Sequence, residues 1–276
     1  MAARLLDLAS EFVEHVIAKS DRREAWNQYE RAHPDIFGVY FRNPYWGRRT
    51  DLDAALPRFN EIESRLRSLT RVAPSRALRV VESVSDLSEA AHATVVCVLF
   101  VGLFGANGFQ DTIGGVPTFF IALEKVADAT ELSVLTAHEA MHAFHASLRS
   151  GTWDDHNILH ALFSEGLAVH VSRLAIPGRP LEDYLWFRSP LSEYERAFRE
   201  GVRELLSTPG SPDAYERNFN YDPSRPPQGL PPRFGYYAGT RVLDEIGSHV
   251  PVKSLARWSS ARAAEATRDA LLRFVD

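Results

Sequence analysis

The stretch "LTAHEAMHAFH", residues 135–145, sets three histidines and a glutamate in an otherwise apolar run. Asp128 followed by Glu131 reads as a capping box, and it starts a helix that runs to about Leu148. On that helix His138 and His142 stand four residues apart, so their side chains stack about 40° from one another on one face. Two imidazoles in that position can take adjacent corners of a tetrahedral zinc site. Glu139 projects about 100° away, which suits a group that acts on water beside a metal rather than a ligand. This is the H-E-x-x-H pattern, and its mechanics follow from helix geometry.

Two histidines do not complete such a site. The candidate third donor is Glu165 in "HALFSEGLAVH", residues 160–170. If 156–175 is helical, Glu165 shares its face with Ile158, Ala161, Leu162, Ala168 and Val169. A carboxylate inside an apolar stripe is costly and tends to take up a proton, and a divalent cation removes that cost by supplying the opposite charge. The alternative is an ion pair with an arginine, either Arg173 or one distant in sequence. The small residues Gly166 and Ala168 would let this helix approach a neighbour closely.

The rest of the chain frames that pair of helices. A 276-residue chain with 45% hydrophobic and 24% charged residues has the composition of an ordinary globular protein and can form one large domain or two closely packed lobes with a shared core. Its net charge of -5 gives no electrostatic reason to expect nucleic acid or an acidic membrane surface as partner. No run approaches the roughly 18 apolar residues of a membrane span. The N-terminus, interrupted by Asp7, Glu11 and Glu14, lacks the apolar core of a signal peptide. A cytoplasmic location is therefore the expectation. The single cysteine, Cys97, excludes an intrachain disulfide and a cysteine-based zinc site.

Residues 3–32 read as one or two amphipathic helices, and a further helix is expected over 52–72, giving a helical N-terminal region over 1–75. "LRVVESV" (78–84), "HATVVCVLFVG" (92–102) and "VPTFFIAL" (116–123) read as strands of a small sheet. The glycine-rich connection 103–115 reads as a mobile loop. After the helix that ends near Leu148, a helical lobe is expected over 151–276, broken at Ser189-Pro190 and again near His249-Val250-Pro251. Residues 207–232 are too rich in proline and glycine to form an element.

H-E-x-x-H followed by the glutamate of "SEGLA" (164–168) resembles the gluzincin branch of zinc metallopeptidases. The resemblance implies Zn2+ held by His138, His142 and Glu165, with Glu139 as general base. The other zincin branch needs a glycine and a third histidine at positions that are His145 and Leu148 here. The aspartate that thermolysin-type enzymes place four residues after the ligand glutamate is Val169 here. A bacterial family of predicted zinc-dependent proteases is more similar, combining H-E-x-x-H, a later E-G-L-A and a helix that opens with G-Y-Y-x-G. Here that third motif lies in "RFGYYAGTRVLDEIG", residues 233–247. The likeness covers about residues 95–247.

What the resemblance implies is a zincin-like α+β fold, mostly α. A small sheet would offer its edge strand, "GVPTFFIAL" (115–123), to an extended substrate and pack on the active-site helix. Oxyanion stabilisation would fall to Tyr236, with Tyr237 and then Arg233 as alternatives. His145, His156, His160 and His170 are left with supporting or packing roles. The expected activity is metal-assisted cleavage of a peptide or a small amide, without nucleic acid or membrane as partner. The alternatives are a zinc hydrolase acting on a small amide or ester, or in biosynthesis, and a non-catalytic zincin-like interaction module. The presence of Glu139 disfavours the module, because a structural zinc site has no use for that residue.

Overall fold

The computed structural model describes residues 3–276 apart from 44, 45, 155, 187, 188, 209, 211 and 220–228. The chain is of the α+β class, 66% helical with one small mixed sheet of four strands. It divides into two compact units, Met1–Ser85 with Ala91–Ala143, and Asp86–Ala90 with Phe144–Asp276. No helix among the described residues is long and apolar enough to cross a membrane.

The first unit begins with β1 (Ala3–Asp7) and α1 (Leu8–Phe12), which continues as a π-helical turn over Val13–Ile17. There follow α2 (Arg22–Ala32), α3 (Pro34–Tyr40), α4 (Leu52–Thr70) and α5 (Ala73–Leu87). Next come β2 (Val95–Phe100), β3 (Gly108–Ile113), β4 (Val116–Ala122) and α6 (Ala129–Leu148), which belongs to this unit as far as Ala143. The sheet order is β1-β2-β4-β3, with β1 and β4 both parallel to β2 and β3 antiparallel to β4.

Four expectations are corrected here. Residues 3–7 are a strand and not the start of a helix: five residues are too few to display a helical period, and pairing of Leu5 with Cys97 decides the matter. "LRVVESV" is the reverse case. Its valines favour a strand, yet Ala73, Ala77, Val80, Val81 and Val84 are buried at helical spacing along α5. The loop expected over 103–115 contains β3. Its glycines serve a hairpin, because Gly114 and Gly115 form a two-residue connection with φ of 57° and 81°, the positive values that a type I′ turn requires. Strand β4 is therefore not the edge of the sheet. It lies between β2 and β3 with Thr118 to Ala122 buried, and β3 is the antiparallel edge strand among the described residues.

An aromatic cluster forms the core of this unit. Phe12, Trp26 and Phe59 pack mutually at 5.0–5.9 Å, and Phe109 of β3 stacks on Phe120 of β4 at 4.4 Å. Cys97, fully buried on β2, has its thiol pKa pushed up by desolvation.

At the end of β4, Glu124 is buried, and its Oε1 accepts the N–H of Phe104 at 3.2 Å. Burial raises its pKa from 4.5 to about 7, against backbone hydrogen bonds that favour the charged form. The folded state thus binds more protons than the unfolded chain between pH 4.5 and about 7, so Glu124 costs stability increasingly as pH rises through that window. The full penalty above it is on the order of 3 kcal/mol. Glu124→Gln keeps an acceptor for the Phe104 N–H and removes the charge. Urea unfolding should therefore find the variant stabilised over its parent at pH 8 and little changed at pH 5. An equal difference at both pH values would contradict this origin.

The second unit is helical among its described residues. Its elements are α7 (Ile158–Ala175), α8 (Leu181–Leu185), α9 (Leu191–Ser207), α10 (Pro212–Phe219), α11 (Phe234–Gly247), α12 (Val252–Leu255) and α13 (Ser260–Val275). The break at Ser189-Pro190 separates α8 from α9 as expected. The stretch 207–232 nevertheless holds α10, where Ala214 and Phe219 supply a buried face. The rest of that stretch lies partly outside the described residues.

Candidate metal centre

α6 starts where expected. Asp128 Oδ1 accepts the N–H groups of Thr130 (2.7 Å) and Glu131 (2.9 Å), two of the donors that a helix start leaves without partners. Glu131 reaches back to the N–H of Ala127 (2.5 Å) and not to that of Asp128, a variant of the capping box. Leu132, Leu135, Ala137, Ala140, Met141 and Phe144 are all buried, so α6 is apolar around its circumference and runs through the interior. His138 (3% exposed) and Glu139 (7%) are carried into that interior with it.

The helical spacing brings His138 and His142 together. Their Nε2 atoms stand 3.1 Å apart, with the rings 4.8 Å between centroids and inclined at 74°. Two nitrogens at the usual zinc–nitrogen bond length would be about 3.3 Å apart at adjacent corners of a tetrahedron. Glu165 joins them. Each of His138, His142 and Glu165 offers one ligand atom, and these atoms all lie within 4.8 Å of one another. Two imidazoles and a carboxylate, with His138 and Glu165 buried, form a donor set that could hold a metal ion.

Glu165 owes its place to α7. Asn157 caps that helix through Oδ1, accepting the N–H groups of Leu159 and His160. Glu165 is 8% exposed, on a helix that also buries Ala161, Leu162, Ala168 and Val169. Arg173 pairs with Asp244 of α11 at 2.6 Å. Helix α7 meets α11 backbone to backbone. A Cβ built on Gly166 would lie 2.2 Å from the carbonyl oxygen of Gly239, and one on Gly239 would lie 2.5 Å from that of Leu162.

The tyrosines separate into different environments. Tyr237 is buried, its Oη accepts from Arg241 at 3.1 Å, and its ring packs on Phe198 at 5.5 Å, all of which mark a core residue. Tyr236 is only partly buried, with its ring 5.6 Å from Phe219 and the Arg233 guanidinium 4.3 Å from its centroid. Arg233 is the N-cap of α11, at φ 59°. None of these three belongs to the ligand group.

Nor do the other histidines. His145 is buried edge-on against Trp153 at 4.7 Å. His160 turns Nδ1 to the backbone of Asp154, and His156 is exposed beside Tyr215. His170 has its pKa lowered, chiefly by desolvation.

One residue in contact with Glu139 was hidden in the expected loop. Gly108, the first residue of β3, approaches so closely that a Cβ built on it would lie 2.8 Å from Glu139 Cγ and Oε1. No family model, no curated protein and no solved structure matches this chain.

Proposed function

We propose that the chain is a zincin-like, gluzincin-type metallopeptidase that hydrolyses amide bonds. The observation that carries this reading is the group of His138, His142 and Glu165, with all ligand atoms within 4.8 Å and a second buried carboxylate, Glu139, beside the first histidine. His138, His142 and Glu165 would hold zinc, whose nitrogen and oxygen preferences the donor set matches. When bound, the ion supplies Lewis acidity and makes water reactive near neutral pH.

The chain's own residues supply the remainder. Glu139 accepts a proton from the attacking water on its carboxylate and returns it to the leaving amine. Tyr236, the less buried of the tyrosine pair, donates a hydrogen bond from its hydroxyl to the developing oxyanion and keeps its proton. Strand β3, the edge strand that begins against Glu139, offers backbone groups to an extended peptide by strand addition.

Metal analysis tests this first. Purified protein should carry about one zinc per chain, and Glu165→Ala should lose most of it while far-ultraviolet circular dichroism stays parental. Parent-like zinc in Glu165→Ala would remove Glu165 from the ligand set. A peptide library assayed beside small amides and esters then separates peptidase activity from hydrolysis of a small substrate.

A further inference from the structure

We propose that Gly108 is a positioning residue: its bare Cα is the wall that fixes where the Glu139 carboxylate lies. The proposal rests on the reading of Glu139 as general base. Glycine in a strand weakens it and commonly marks a place where something approaches closely. At Gly108 the cause is space and not backbone conformation, because its φ is not positive, unlike those of Gly114 and Gly115 in the same hairpin. A Cβ there would stand 2.8 Å from Cγ and Oε1 of Glu139 and 3.0 Å from its Cδ.

The strand cannot retreat to make room. The Gly108 N–H is held by Asn107 Oδ1 at 2.9 Å, and the Asn107 carbonyl accepts the N–H of Ala122 at 2.9 Å. Just upstream, Ala106 donates to the Trp46 carbonyl at 2.9 Å, and the Phe104 N–H is bound by Glu124. Gly108 itself is paired with Ile121 across the hairpin. Opposite stands the middle of α6, buried on its neighbouring turns. The atoms that meet the new methyl group are side-chain atoms of Glu139 from Cγ outward, which can turn where backbone cannot. A methyl group at 108 would therefore displace the carboxylate and leave fold and ligands in place.

The test assays Gly108→Ala in the full-length protein with zinc and a fluorogenic peptide that the parent cleaves. Gly108→Ala should keep parental zinc and KM while kcat falls by about 10²-fold, the scale of an ångström-sized misplacement. Parental kcat in Gly108→Ala would overturn the proposal.

Thermal unfolding reads the same contact without catalysis. Gly108→Ala should lower Tm by roughly 2 °C or more when Glu139 is present and not in a Glu139→Ala background. Absence of that coupling also overturns the proposal. Coupling in a parent that cleaves no substrate would sink the hydrolase reading and leave the contact standing.

Discussion

Glu139→Gln should retain about one zinc per chain and lose hydrolysis by about 10²–10⁴-fold, the range ascribed to general acid–base groups. The substitution preserves shape, which matters because the side chain is 7% exposed and lies against Gly108. It leaves the ligand group of His138, His142 and Glu165 untouched. What changes is the capacity to take up a proton, since an amide nitrogen only donates and an amide oxygen is a far weaker base. Zinc content measured on the same sample as kcat separates loss of the base from loss of the metal. A Glu139→Gln enzyme that cleaved as fast as its parent would end the general-base assignment.

The largest expected effect on stability is at Gly166. In Gly166→Ala the new methyl group would stand 2.2 Å from the Gly239 carbonyl oxygen and 2.6 Å from its carbon. Both are backbone atoms, so no side chain can swing aside, and the helices must separate or shift along most of their shared length. Overpacking against a fixed neighbour of this kind should cost roughly 3–5 kcal/mol, at the severe end for a single substitution. Gly38→Ala is the contrast. Gly38 is exposed on α3 with nothing within 4 Å of a built Cβ, so alanine should stabilise by roughly 0.5–1 kcal/mol. Urea unfolding of both variants measures the pair, and equal effects would mean that the close contact of α7 and α11 is not what glycine serves at 166.

The group of His138, His142 and Glu165 was legible because helices write their geometry into local spacing. His138 and His142 four residues apart, the cap at Asp128, and a carboxylate on the apolar face of α7 needed no knowledge of distant contacts. The sheet was less legible for the opposite reason. Whether residues 3–7 pair with β2 depends on a segment some ninety residues away, and no local period records it. α5 was misread from its valines, although its burial follows a helical stripe. β3 was masked by glycines that have two unrelated causes, the turn at Gly114-Gly115 and the close approach at Gly108. Misreading β3 as a loop also transferred the edge position to β4. The separation of Tyr236 from Tyr237 was beyond local pattern as well, because it depends on Phe198 and Arg241 enclosing one ring and not the other.

The glycine contact between α7 and α11 also bears on motion. Packed helices slide past each other by small rotamer adjustments in the layer of side chains between them. Where Gly166 meets Gly239, backbone touches backbone and that lubricating layer is missing. Helices α7 and α11 are therefore coupled as one rigid body, and the distance from Glu165 to Tyr236 is held as that body moves. Any bending of this unit must therefore take place elsewhere in the chain.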